Sequence, residues 1–216
     1  YANEVAVVTG ASKGSIASSV AAQLLDGGAT VIATTSRLDD DRLAFYKELY
    51  RDNARFGATL WVVPANMASY SDIDALVDWI GNEQTETVGS DQKLIKPAVV
   101  PDLFLPFAAP SVSGTVEDAG GNAETQARLL LWSVERSFTA LSRIGHEANL
   151  AHRLHVVLPG SPNRGRSSGV SGSSAAAAHS WAPSRCGLVG STTVSSTPRS
   201  NTASGCSTRK VSRGSS

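Results

Sequence analysis

Residues 5–17 read VAVVTGASKGSIA, and the rest of the chain can be laid out around them. Val5, Val7 and Val8 form a short apolar run of the kind a buried parallel strand uses. Thr9–Gly10 interrupts it, and a turn of small residues leads straight into an amphipathic helical pattern. Ile16, Val20 and Leu24 recur every four residues there, with Ala17, Ala21 and Leu25 beside them. A strand, a glycine turn and a helix in immediate succession gather backbone N–H groups at a helix N-terminus, where a phosphate is stabilised. Gly10 lets the chain turn tightly, and Gly14 lets backbone or ligand approach with no Cβ in the way.

The spacing is T-G-x-x-x-G, not the G-x-G-x-x-G of the commonest dinucleotide fingerprint, and Ile16 stands where a third glycine often sits. A Walker A loop is excluded because Lys13 precedes Gly14 instead of following it. A glycine turn alone is an ordinary loop. Its position between a first strand and a first helix is what favours a ligand cradle.

Residues 29–34 (ATVIAT) make a second strand after the Gly27–Gly28 stop, completing a βαβ unit. Many dinucleotide sites place an acidic side chain at the end of this strand, on the ribose hydroxyls. Thr35–Ser36–Arg37 stand there instead. Ser36 and Arg37 suit a 2′-phosphate, which points to NADPH over NADH; an ordinary surface arginine is the alternative. A helix follows over 38–51, opened by Asp39, Asp40 and Asp41. A third strand covers 58–63, then Asn66 lies where an adenine edge would meet a doubly wound sheet, or simply caps its loop.

Ile73, Leu76, Val77 and Ile80 carry a third helix, and residues 81–101 read as an irregular surface excursion. Residues 102–109 (DLFLPFAA) make a fourth strand whose small end, with Ala108, leaves room for a nicotinamide ring or packs tightly. A loop over 111–121 precedes the longest helical pattern, 123–144, with Ala127, Leu131, Val134, Phe138 and Leu141 on one face and Trp132 off it. A fifth strand spans 153–159, with His155 inside it as a structural residue. The four histidines share no ligand spacing, so no metal site is expected.

Composition limits the function classes. No run of eighteen apolar residues offers a membrane span, and the start has no signal-peptide pattern. Cys186 and Cys206 have no redox or metal spacing, which suggests a reducing, cytoplasmic setting. The net charge of zero hides a division: residues 1–147 carry 19 acidic and 11 basic groups, a net of −8, and the remainder carries 8 basic groups alone. The scattered arginines of that remainder lack aromatic interleaving, so nucleic acid is not the expected partner.

Together these elements describe an α/β chain with a doubly wound, Rossmann-like parallel sheet and helices on both faces, incomplete at its C-terminal side. TGASKGSIA, TTSR, LPGSPNRG and the run LDDDRLAFYKELYRDNARF resemble the β-ketoacyl reductase domain of mycobacterial-type, multifunctional fatty acid synthase, within the short-chain dehydrogenase/reductase superfamily. The likeness covers roughly residues 4–165. It implies NADPH-dependent reduction of a 3-oxoacyl group held on an acyl carrier domain, with the other synthase domains as partners in a homo-oligomeric parent. By the same likeness Gly10, Ser12, Lys13, Gly14 and Ile16 would line the pyrophosphate, Ser36 and Arg37 would hold the 2′-phosphate, and Ser161 would orient the carbonyl.

The family's proton donor is a tyrosine followed four residues later by a lysine, after the serine strand. Here the last tyrosine is Tyr70, and no lysine lies between Lys96 and Lys210. Ser161 alone has no suitable pKa for that task. From Arg166 onward 16 of 51 residues are serine, and neither a strand nor an amphipathic helix is evident. Residues 1–165 thus read as an incomplete reductase-like domain and 166–216 as a disordered basic tail. A natural low-complexity segment and an out-of-frame translation both fit; the abrupt change after Asn163–Arg164–Gly165 favours the second. The fifth strand is then expected to lack an outer neighbour, an association hazard.

Overall fold

The computed structural model describes residues 1–110, 119–149, 151–160 and 191–194. Its frame is a six-stranded sheet in the order β3-β2-β1-β6-β7-β8. The members are β1 (Val5–Thr9), β2 (Thr30–Thr35), β3 (Thr59–Pro64), β6 (Leu103–Pro106), β7 (Leu154–Val157) and β8 (Ser191–Val194). All neighbours are parallel except β7 and β8. The expected doubly wound architecture is present.

Alternation along the strands divides the core. Val31, Ala6 and Leu103 lie side by side in register, as do Ala33, Val8 and Leu105. This face is covered by α1 (Ile16–Asp26) through Ala17, Ala21, Leu24 and Leu25, and by Tyr46 of α2 (Asp40–Asn53). The row Trp61, Ile32, Val7, Phe104, Val156 faces the other way. It packs under α3 (Tyr70–Gly81) and α5 (Ser133–Leu141), through Ile73, Leu76, Ile80, Val134 and Leu141.

The helix starts are set by side-chain caps. Ser15 accepts from Ser18 N at 3.1 Å, Asp39 from Arg42 N at 2.9 Å, and Ser69 donates to Asp72 Oδ1 at 2.8 Å while capping α3. Each satisfies a first-turn N–H that has no partner within its helix. Asp102 pins the entry of β1, its Oδ2 accepting from Val5 N at 2.8 Å.

Three regions differ from the sequence expectation. Residues 81–101 are not irregular: β4 (Gln84–Val88) and β5 (Asp91–Lys96) form a separate antiparallel hairpin. Its two-residue loop begins with Gly89 at φ +68°, the backbone a type II′ turn needs. Lys96, at the hairpin's base, is fully buried. Its ammonium donates to the carbonyls of Ile80 (3.0 Å), Asn82 (3.1 Å) and Pro97 (2.8 Å), and lies over the Trp79 ring. It thereby serves carbonyls at the end of α3, where the helix dipole favours a cation. Burial lowers the pKa of this lysine from its ordinary value.

The long helical pattern is also not one regular helix. α4 (Ala119–Ala127) passes through a π-turn, Arg128–Trp132, into α5. The extra residue in the turn shifts the apolar face. Leu129, not Leu131, packs against the core with Val134 and Phe138, and Trp132 is 45% exposed. Finally, β8 lies antiparallel along β7, pairing Leu154 with Val194 and Val157 with Ser191. The outer edge of β7 is therefore covered, by a segment expected to hold no strand. Four residues of serine, threonine and valine are too short to signal a strand; β7 supplies the pairing that makes them one.

Candidate functional site

The strand order reverses at β1, so the connections from β1 and β6 leave on opposite faces and open a crevice beyond their carboxyl ends. Gly10 lies at the wall of this crevice with φ +72°. A Cβ there would stand 2.8 Å from the Cα and N of Ala108 and 2.9 Å from the carbonyl carbon of Phe107. The glycine thus allows the β1 turn to touch the segment leaving β6. The contact is tied by Ala108 N, which donates to the buried Thr9 Oγ1 at 3.0 Å.

Beyond Gly10 the loop is held by Ser12 N donating to Gly10 O at 2.8 Å and Ser15 N to Ser12 O at 3.0 Å. Ser12, Lys13 and Gly14 are exposed, and Ile16 is 74% exposed despite its apolar side chain. Gly14 also has positive φ, +76°, yet no described residue lies within 4 Å of where its Cβ would be. The first turn of α1 carries no acidic residue, so its positive end is not neutralised from within. The arrangement is an open cradle of main chain, one lysine and a helix N-terminus, suited to an anion.

At the end of β2, Thr35 Oγ1 donates to Arg37 O at 2.7 Å and shapes the turn that presents Ser36 and Arg37, both exposed. The Arg37 guanidinium makes no ion pair among the described residues. Beneath this turn Tyr46 is buried, which pushes its hydroxyl pKa up, against the opposing effects of Thr35 and Arg42.

Asn66 sits on the loop after β3, exposed, with Oδ1 accepting from Ala68 N at 3.0 Å. The side chain caps its loop, and its Nδ2 makes no hydrogen bond among the described residues. Asp72, unremarked in the sequence, positions this loop by accepting from Asn66 N at 2.9 Å. That bond, with those of Ser69 and Ser71, holds the Asp72 carboxyl below its ordinary pKa. The capping pattern Ser69-x-x-Asp72 was the available signal. Ser161 lies outside the described residues.

A small cavity of about 10 Å³, lined among others by Thr9, Met67, Ala108, Leu129 and Ser133, sits under the crevice. Ser133 Oγ is buried without a hydrogen-bond partner among the described residues. A larger open groove of about 440 Å³ runs between α3 and α5 past Trp132 and Arg143, with Arg136 ion-paired to Asp74. It contains none of the expected site residues. Among the described residues no group of three His, Cys, Asp or Glu is placed to hold a metal, and no helix is long and apolar enough to cross a membrane.

No family model matches the chain. It is similar to fungal fatty acid synthase alpha subunits: 35% identical over 167 residues to the alpha subunit hexA of Dothistroma septosporum and 34% over 167 residues to that of Schizosaccharomyces pombe. Each alignment takes in 76% of this chain but only 9% or 8% of the relative, so the chain spans about a tenth of the length of the proteins it matches. In fold it is similar to a short chain dehydrogenase from Mycobacterium smegmatis, with TM-score 0.62, 21% identity, and 82% of this chain and 65% of that one covered. A 3-oxoacyl (acyl-carrier-protein) reductase from Agrobacterium tumefaciens, solved with NADP bound, has TM-score 0.62 at 18% identity, covering 83% and 60%. The chain therefore has the short-chain dehydrogenase/reductase fold in a form like a stretch of the synthase alpha subunit.

Proposed function

We propose that the crevice beyond β1 and β6 is a site for NADPH, and that the chain is the nucleotide-binding part of a ketoreductase unit from a multifunctional fatty acid synthase. The observation that carries this reading is the open cradle at Gly14, with an unneutralised helix end on one side and, on the other, Arg37, which has no ion-pair partner among the described residues. The bound nucleotide would supply hydride to a 3-oxoacyl group on an acyl carrier domain, leaving the 3-hydroxyacyl product. The chain's own residues would do the holding. Backbone around Ser12, Lys13, Gly14 and Ile16 meets the pyrophosphate, Ser36 and Arg37 meet the 2′-phosphate, Asn66 Nδ2 meets the base, and Ala108 leaves space beside the nicotinamide. Ser161 would orient the carbonyl, whose oxygen gathers charge as hydride arrives. The acyl carrier and neighbouring synthase domains, in a homo-oligomeric parent, are the corresponding partners. The run KGSIA followed by TTSRLDDDRLAFY supports a mycobacterial-type synthase within this class.

Reduction also requires a proton, and the chain has no tyrosine beyond Tyr70 and no lysine between Lys96 and Lys210. This chain is accordingly proposed to be inactive, with weak NADPH affinity because the lysine contact to the ribose is missing. That sequence fact favours the second reading, a non-catalytic dinucleotide-binding or scaffold fragment of a synthase. The test is direct titration with NADPH and NADH beside an assay for NADPH oxidation with a 3-oxoacyl thioester. Preference for NADPH without turnover is expected. Turnover at ordinary enzymatic rates would refute the inactivity, and equal affinity for the two nucleotides would refute the role of Arg37.

A further inference from the structure

The β4–β5 hairpin stands apart from the main sheet, and among the described residues neither of its outer edges is paired. Val88 and Leu94 are 58% and 50% exposed. An isolated two-stranded ribbon is marginal in water. This one is nevertheless fixed at its base by the three hydrogen bonds of buried Lys96. A firmly held ribbon with free edges is a template for another strand.

Which strand it takes follows from register and charge. In a hairpin with a two-residue loop, the pair flanking the loop exchanges both of its hydrogen bonds. Val88 and Asp91 are that pair, and Glu86 and Lys93 are the next to face inward. Gln92 and Leu94 on β5 therefore turn their N–H and C=O groups outward, as do Thr85 and Thr87 on β4. Two copies can pair antiparallel about a two-fold axis through either edge. Through β4, joining Thr85 to Thr87 sets Glu86 against Glu86. Through β5, joining Gln92 to Leu94 sets Lys93 against Lys93. Centring β5 on Gln92 instead sets Asp91 of each copy opposite Lys93 of the other. Because Lys93 already faces Glu86 across the hairpin, each row alternates in sign: Glu86, Lys93, then Asp91 of the second copy. None of these three side chains has an ion-pair partner among the described residues.

We propose that this chain self-associates through the β5 edge, as a two-fold dimer whose four-stranded ribbon β4-β5-β5-β4 is centred on Gln92. The antiparallel arrangement sends the two bodies to opposite ends of the ribbon. The two Lys96 anchors are then eight residues apart along it, about 27 Å, which leaves the bodies clear of each other at the bases. The pairing rests on the hairpin alone and is independent of nucleotide binding.

The test uses the full chain and a charge exchange. The wild-type chain is expected to sediment as a dimer at micromolar concentrations. Lys93→Glu places acid against Asp91 twice, and Asp91→Lys places base against Lys93 twice. Each variant alone should dimerise roughly tenfold or more weakly. An equimolar mixture restores both opposite-charge pairs and should form a heterodimer, weakened by high salt. Both positions are exposed, so unchanged circular dichroism checks that the fold is intact. A wild-type chain that stays monomeric to its solubility limit overturns the proposal. So do single variants that dimerise as well as wild type, a mixture that stays monomeric, or open-ended polymers in place of dimers.

Discussion

Gly10→Ala tests whether the crevice is built by direct contact between the β1 turn and the segment after β6. Two separate costs are expected. Placing alanine at φ +72° costs roughly 1 kcal/mol in backbone strain. The new methyl would also meet main-chain atoms of Ala108 and Phe107 at 2.8–2.9 Å. Backbone cannot rotate away as a flexible side chain can, so β1 and β6 must separate by several tenths of an ångström, at roughly 2 kcal/mol more. Gly14→Ala is the control. It has nearly the same φ, +76°, but open space around the Cβ, and should lose only the strain, roughly 1 kcal/mol. In urea unfolding the two variants should differ by about 1 M in midpoint at a common slope of about 2 kcal/mol/M. Protection of the Ala108 amide, which depends on Thr9 Oγ1, should fall in Gly10→Ala and stay unchanged in Gly14→Ala. Equal losses in the two variants would refute the close-approach argument.

Other outcomes follow from single contacts. Arg37→Ala should weaken NADPH binding by roughly tenfold and leave NADH binding unchanged, read by calorimetry. Lys96→Met leaves three carbonyls without their donor, that of Ile80 buried and those of Asn82 and Pro97 partly so, and should destabilise the chain by about 2–3 kcal/mol, with hydrogen exchange rising first at the end of α3 and the base of the hairpin. Ser133→Ala removes a buried hydroxyl that has no partner among the described residues and should leave stability unchanged or raise it by about 1 kcal/mol, measured as the unfolding midpoint. The carboxyls of Asp39, Asp72 and Asp74 lie below their ordinary pKa, the first two chiefly through backbone N–H donors and Asp74 through Arg136. Their folded forms favour the charged state, so their contribution is complete above the unfolded value of 3.8 and is lost as pH falls below it. Acid titration of Asp72→Asn should show a shallower loss of stability than wild type over that window.

Much of the frame was legible because its causes are local. Three apolar residues before Gly10, glycines at 27 and 28, and aspartates at 39–41 act on their own neighbours in sequence. The glycine turn could likewise be placed at the carboxyl end of the first strand, since strand, turn and helix are contiguous. Asn66 shows where local reading stops. Its sequence is equally compatible with capping and base contact, and only the position of Ala68 N commits Oδ1 to the loop. Asp72 is readable from Ser69-x-x-Asp72 as part of a helix cap, but not as the holder of the Asn66 amide six residues earlier, because that bond depends on how the turn between β3 and α3 folds back.

Periodicity misplaced the apolar face of the long helix because it presumes a constant 3.6 residues per turn, and the π-turn at Arg128–Trp132 inserts one residue. The hairpin reads as irregular in sequence because few of its side chains are buried, leaving no hydrophobic alternation to detect. Its lysine-rich end looked solvated, yet Lys96 lies inside, where carbonyls of α3 converge on its ammonium.

By itself, then, the amino-acid order determined the βαβ pattern, the glycine cradle, the basic turn after the second strand and the absence of a later tyrosine–lysine pair. Each of these is a property of residues adjacent in the chain, or simply of composition. The tertiary structure alone decided that Gly10 must yield to the backbone of Ala108, that Lys96 closes a distant helix, and that Ser191–Val194 completes the sheet edge. These contacts join residues 16 to nearly 100 positions apart, and a partner at that distance leaves no periodic trace in either segment.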